Sequence, residues 1–135
     1  MPMRQELTSV GFQELRTPEE VDAFLAEKSG SALLVINSVC GCAAGMARPG
    51  VRLALQHGVR PDRLGTVFAG QDLEATARAR QHFQENPPSS PSMALFSSGQ
   101  LVHFVPRQRI EGRDAVAVAQ DLIAAFERHC TVVGV

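Results

Sequence analysis

The 135-residue chain has no tryptophan and no tyrosine, and its only aromatic side chains are seven phenylalanines. Flat platforms on which nucleobases stack are therefore scarce. A basic face is missing too: twelve Arg and a single Lys are interspersed with fourteen acids, for a net charge of −1. Phosphate backbones and anionic lipids require clustered cations, so neither nucleic acid nor a lipid surface is an expected partner. No uninterrupted aliphatic run exceeds five residues, the length of Ala32 to Ile36, whereas a bilayer requires roughly 20. The opening Met1-Pro2-Met3-Arg4-Gln5-Glu6 has one basic residue and no apolar stretch behind it, so no secretory signal is read there. The expected location is cytoplasmic, with no membrane association. Three cysteines are too few for a disulfide framework, and the cytosol keeps structural thiols reduced.

What is present suits one globular domain over residues 1–135: 44% of residues are apolar and 20% charged. No repeat or linker interrupts it. A first helix is signalled by Thr17-Pro18-Glu19-Glu20, with Thr17 as cap, Pro18 in the first turn and Glu20 completing a capping box. Val21, Phe24 and Leu25 follow as its apolar stripe, and Ser29-Gly30 ends it. Ser31 to Ser38 reads as a buried strand. A helix-like stretch then runs to about Gln56, with Pro49 expected to kink it. Leu64 to Ala69 is a second buried strand, and Asp72 is placed to cap a helix reaching about Gln84. After the rigid Asn86-Pro87-Pro88-Ser89-Ser90-Pro91 loop, Ser92 to Phe96 and Leu101 to Val105 flank Ser98-Gly99 as a β-hairpin. A last helix carries Ala115, Ala119, Leu122, Ile123 and Phe126 on one face. Helices between strands imply right-handed crossovers, and the hairpin adds an antiparallel pair. The fold class is α/β, a mixed central β-sheet flanked by helices.

The most informative feature is Cys40-Gly41-Cys42, between a strand and a helix. Free backbone N–H groups and the dipole at a helix start favour negative charge, so a thiol there loses its proton more readily than one with the ordinary pKa near 8.5. Cys40, at or before the cap, is better placed than Cys42. Two residues apart on a helix point about 200° from each other, so a Cys40–Cys42 disulfide requires Cys40 to leave the helix, with Gly41 supplying the freedom. So small a ring departs from preferred disulfide geometry and is easily reduced. Alternatively, Cys40 alone takes a small thiol from a mixed disulfide and Cys42 resolves the adduct or stays idle. The chemistry of the pair does not choose between these uses. Ser90-Pro91 precedes a strand, and a cis bond there would offer a strand-like edge to an incoming peptide or thiol conjugate.

Asn37-Ser38-Val39-Cys40-Gly41-Cys42-Ala43-Ala44-Gly45 closely resembles the active-site signature of the bacilliredoxins. Arg48-Pro49, Val67-Phe68-Ala69-Gly70-Gln71-Asp72, Pro88-Ser89-Ser90-Pro91-Ser92 and Ile110-Glu111-Gly112 extend that resemblance in order over nearly the whole chain. The resemblance implies a thioredoxin-like fold and thiol–disulfide exchange, with bacillithiol removed from the cysteines of client proteins. It also implies protein disulfide isomerase-like activity. Cys40 takes the attacking role, Cys42 the resolving one and Pro91 the place of the cis-proline. The partners implied are bacillithiolated or disulfide-bonded client proteins and low-molecular-weight thiols; no metal or organic cofactor is called for. The chain departs from ordinary thioredoxins in having one spacer residue between the cysteines and no Trp before them. Leu34 also stands about where thioredoxins bury a carboxylate.

Other readings stand beside this one. A general disulfide isomerase or reductase uses the same cysteines, while a metal-binding module would need Cys40, Cys42 and Cys130 together. Cys130 extends the apolar face of the last helix, as a small hydrophobe or as a third redox group. Asn37 either orients the motif loop or merely ends the strand. Arg48 is either an electrostatic partner for a thiolate or substrate carboxylate, or an ordinary surface arginine. Gly41, Ser90, Pro91, Asn37 and Arg48 form the expected substrate-binding set. His57, His82, His103 and His129 are dispersed and read as surface histidines.

Overall fold

The apolar run at Ala32–Ile36 becomes part of a strand buried along its whole length, Ser31–Asn37. The computed structural model describes residues 7–26, 30–37, 46–56, 60–69, 71–82, 91–110 and 113–130. In chain order these form β1 (Gln13–Glu14), α1 (Pro18–Ala26), β2 (Ser31–Asn37), α2 (Arg48–Ala54), β3 (Arg63–Phe68), α3 (Leu73–Gln81), β4 (Ser92–Ser97), β5 (Gln100–Val105) and α4 (Ala115–His129). The strands make one mixed sheet in the order β1-β3-β2-β4-β5. β2 is parallel to β3 and antiparallel to β4, which closes a hairpin with β5. The α/β reading with a mixed sheet is what the structure shows.

Alternation along β2 sends its side chains to two separate cores. Leu33 and Val35 pack with Val51 of α2 and with Val118, Leu122 and Phe126 of α4. Ala32, Leu34 and Ile36 pack with Val21 and Phe24 of α1 and with Ala75 and Ala79 of α3. Full burial of a Leu or Phe side chain stabilises by about 1.5–3 kcal/mol, so both layers depend on this one strand. Leu34 is fully buried in the second layer.

Local signals were obeyed where their partners are local. Thr17 Oγ1 accepts from the Glu20 N–H at 3.1 Å, and Glu20 Oε1 accepts from the Thr17 N–H at 3.1 Å, closing the capping box. Ser98 and Gly99 both have positive φ, 54° and 80°, as a tight two-residue hairpin loop requires.

Pro49 stands in the first turn of α2, directly after a π-helical turn at Met46–Ala47. Three expectations need correction. Asp72 caps α3 by position but not through its side chain; its carboxylate accepts from the Phe68 N–H at 3.2 Å. The buried stripe of α4 includes Val118 and Ala125, whereas Ala115 and Ile123 are only partly covered. Finally, β1 was not foreseen; two residues carry no periodicity, and only β3 beside it makes it a strand. The ends expected at Ser38 and Gln84 lie outside the described residues.

Gly50 lets α2 approach α4. A Cβ built there would stand 2.7 Å from Val118 Cγ1 and 3.1 Å from the Ala115 carbonyl oxygen. Gly50→Ala improves helix propensity by about 1 kcal/mol, but overpacking costs about 1–3 kcal/mol. The variant should lose about 1 kcal/mol and several degrees of Tm; an unchanged or raised denaturation midpoint would show that the two helices separate freely.

Candidate active site

β1, β2 and β3 run parallel, so they end at one edge of the sheet, and β4 begins there. Asn37 is the last residue of β2 and is 1% exposed. Its carbonyl accepts from the Ala69 N–H at 3.0 Å, joining it to the chain just past β3. On the other side Ile36 pairs with Ser92, so the next step of the antiparallel register sets Asn37 opposite the buried Pro91. From underneath, Arg48 at the start of α2 donates Nη1–H to Asn37 Oδ1 at 3.0 Å.

Three of the expected site residues, Asn37, Arg48 and Pro91, thus converge at one strand end. Cys40, Gly41, Cys42 and Ser90 lie outside the described residues; by covalent connection Cys40 follows Asn37 by three residues and Ser90 adjoins Pro91.

Arg48 is not a surface arginine. At 2% exposure its guanidinium has been taken out of water, a cost of several kcal/mol that only hydrogen bonds and charge compensation offset. The planar fork suits the amide oxygen of Asn37, which makes the two residues one unit. Sequence spacing could not reveal this pair, because eleven residues separate its members and α2 must dock before they meet.

Cys130 lies elsewhere. It is the residue after α4, partly buried against the core, with its N–H donated to the Phe126 carbonyl at 2.8 Å. Its neighbours are Ser31, at the start of β2, and Asp62, just before β3; about 20 Å of strand separates Ser31 from Asn37. Burial pushes its thiol pKa up, the Asp62 charge adds to this, and a hydrogen bond to Ser31 opposes it. Among the described residues no group of three or more His, Cys, Asp or Glu could hold a metal.

Two of the dispersed histidines face acids. His82 Nε2 stands 3.5 Å from Asp22, and His103 Nε2 3.3 Å from Asp121, so His103 is partly enclosed and not a plain surface residue. Asp121 also faces Arg109 at 3.5 Å and Arg113 at 3.7 Å. This clasp ties the segment after β5 to α4 and was not foreseen from sequence. His57 lies outside the described residues.

Comparison with solved structures places the sheet order and the paired helix layers among the thioredoxins. Fasciola hepatica thioredoxin superposes with a TM-score of 0.61 over 87% of this chain and 99% of its own, at 18% identity. Aeropyrum pernix thioredoxin superposes with a TM-score of 0.53 over 84% of each chain, at 17% identity. The fold is that of thioredoxin.

Sequence comparison narrows this further. A family profile described as "Disulphide isomerase" matches residues 1–130. A bacilliredoxin from Halalkalibacterium halodurans is 56% identical over 129 residues, covering 96% of this chain and 90% of that one. Bacilliredoxins from Salinibacter ruber and Cytophaga hutchinsonii are 58% and 55% identical, covering 96% and 93% of this chain and 77% and 93% of theirs. The chain belongs to the bacilliredoxin family and is a thiol–disulfide oxidoreductase. Among the described residues no helix is long and apolar enough to cross a membrane.

Two expectations follow from the geometry. Asn37→Ala removes the acceptor of a buried guanidinium N–H and should cost about 2 kcal/mol, while the exposed Arg52→Ala stays within about 0.5 kcal/mol; equal denaturant midpoints would dissolve the proposed unit. Because folding raises the pKa of Cys130, its stabilising contribution is complete below the ordinary thiol pKa near 8.5 and is lost as pH rises through the folded pKa. Wild type should therefore lose more stability than Cys130→Ala between pH 8 and pH 10.5. Parallel pH curves would mean that the thiol feels no burial.

Proposed function

We propose that this protein removes bacillithiol from mixed disulfides on the cysteines of cytoplasmic client proteins, with Cys40 as nucleophile and Cys42 as resolving thiol. The carrying observation is the meeting of buried Arg48, Asn37 and Pro91 at the strand end from which Cys40-Gly41-Cys42 departs. A fixed cation within reach of a thiol lowers its pKa. A β-strand start such as Pro91-Ser92 offers backbone groups that an extended client segment can pair with.

In the first step the Cys40 thiolate attacks the bacillithiol sulfur of the mixed disulfide. A Cys40–bacillithiol S–S bond forms, the client S–S bond breaks, and the client thiolate leaves and takes a proton from water. The Cys42 thiolate then attacks Cys40 Sγ, releasing bacillithiol and closing the Cys40–Cys42 disulfide. The cysteine pair is oxidised by two electrons as the mixed disulfide is reduced, and low-molecular-weight thiols return those electrons. A second small thiol clears the adduct when Cys42 does not. Asn37 and Arg48 hold the strand end, and Pro91, Ser90 and Gly41 supply the substrate-facing backbone.

The profile description "Disulphide isomerase" favours a second reading, exchange on protein disulfides by the same residues. A scrambled disulfide protein separates the two, since only an isomerase restores native pairing. A metal module built on Cys40, Cys42 and Cys130 gains no support from the position of Cys130 beside Ser31.

The decisive test is the intact mass of Cys42→Ala mixed with a bacillithiol-modified peptide and, separately, a glutathione-modified one. A bacillithiol adduct on Cys40 with little glutathione transfer is expected. Equal transfer would make the protein a broad thiol oxidoreductase, and no adduct would sink the mechanism. In the same variant, alkylation of Cys40 should stay fast from pH 8 down to about pH 6; the steep fall of a thiol with the ordinary pKa near 8.5 would argue against an activated thiolate.

A further inference from the structure

Asp121 stands in the middle of α4 with its side chain only 11% exposed, yet three nitrogen groups from outside the helix face its carboxylate. His103 Nε2 lies at 3.3 Å, Arg109 Nη2 at 3.5 Å and Arg113 Nη1 at 3.7 Å. A carboxylate so enclosed is kept only where charges or hydrogen bonds compensate its desolvation.

The sheet is distorted to supply the first of these partners. Leu95 pairs with His103 and Phe96 with Leu101, so Val102 is an extra residue in β5. Leu101 and Phe104 pack against the α1/α3 core, whereas Val102 and Val105 pack against the core under α4. Strict alternation from Leu101 would send His103 to the α1/α3 side. The bulge sets Val102 and His103 on one face and turns the imidazole toward Asp121.

His103 and Arg109 stand three residues before and three residues after Pro106. One carboxylate therefore fastens both limbs of the turn that leaves β5. Arg113 braces the second limb, donating Nη1–H to the Arg109 carbonyl at 3.0 Å and Nη2–H to the Ala117 carbonyl at 3.1 Å. Ile110 is fully buried within it, and its N–H bonds to the Arg107 carbonyl at 2.9 Å. The apex of the turn is Pro106-Arg107. Met93 pairs with Val105, so the next step of the register sets Pro106 beside Ser92, the residue after Pro91. The apex borders the start of β4 on the side away from Asn37.

We infer that Asp121 is a positioning residue for exchange on polypeptide clients: through His103 and Arg109 it holds the Pro106-Arg107 turn beside Ser92 as the outer wall of the client-binding strand start. This role rests on the exchange reading above and adds to it the side of the site that β2 does not build. A loosened turn leaves the sulfur chemistry untouched but weakens binding of a chain that must lie against it. A disulfide too small to reach the turn is indifferent to it.

The test is single-turnover exchange by the full reduced chain on a decapeptide holding one cysteine as its bacillithiol mixed disulfide, with bis(2-hydroxyethyl) disulfide as the small substrate. Asp121→Asn should raise the half-saturating peptide concentration by about 3- to 10-fold, the cost of ordering one loose contact surface on binding. Its limiting rate, and its rate on the small disulfide, should stay within about 2-fold of wild type, as for a residue that acts on binding alone. Asp121→Glu, which keeps the charge, should recover most of the loss. Arg109→Gln, at a half-exposed side chain, should show a smaller rise in the same direction and decides alone where Asp121→Asn does not fold. Thr17→Ala, which uncaps α1 on the opposite face of the sheet, controls for general destabilisation and should leave the half-saturating concentration unchanged. An equal rise in Thr17→Ala, or none in Asp121→Asn and Arg109→Gln, overturns the positioning role and leaves the exchange reading intact. A wild type that exchanges with neither substrate overturns both.

Discussion

Arg48 sits under the end of β2 with its guanidinium bonded to Asn37 and almost no contact with water. Burial of a permanent cation is tolerated only where the surrounding structure holds its partners in place. Here that requires β2 to end where it does, α2 to dock at its present height, and Gly50 to let α2 close on α4. The position of Asn37 in turn sets its bond to Ala69 and its place one register step past the Ile36–Ser92 pair, opposite Pro91. One polar contact therefore couples the helix that follows the cysteines, the strand that precedes them and the proline expected to face their substrate.

The central strand makes this coupling rigid. Ser31–Asn37 is flanked by strands on both edges and covered by helices on both faces. A one-residue slip would exchange the two cores and strand Asn37 on the wrong face. A site at the end of such a strand is held by the whole domain. The far end of the strand has a different character. Cys130, Ser31 and Asp62 meet there, and Asp62 accepts from the Ser31 N–H at 2.9 Å above Gly30. A thiol whose pKa is raised by burial is a poor nucleophile, and Cys130 stands at the opposite end of β2 from Asn37.

Features whose partners lie within a few residues were readable in advance. The Thr17–Glu20 capping box, the hairpin turn at Ser98-Gly99 and the continuous apolar run at Ala32–Ile36 each follow from local geometry or from solvent exclusion. Features that need two distant segments were not. The burial of Arg48, the return of the Asp72 carboxylate to Phe68, the clasp of Asp121 on His103, Arg109 and Arg113, and the two-residue β1 all arise from packing between elements far apart in the chain.

The order of the longer elements and the mixed sheet were settled by the chain itself, since periodicity and turn chemistry are properties of neighbouring residues. Which polar side chains surround the strand end, and which of them must be buried, was decided only by the tertiary structure. The reason is physical: desolvation of Arg48 and the distance from Asn37 to Pro91 are set by how helices and strands pack, and no local stretch of sequence contains both partners.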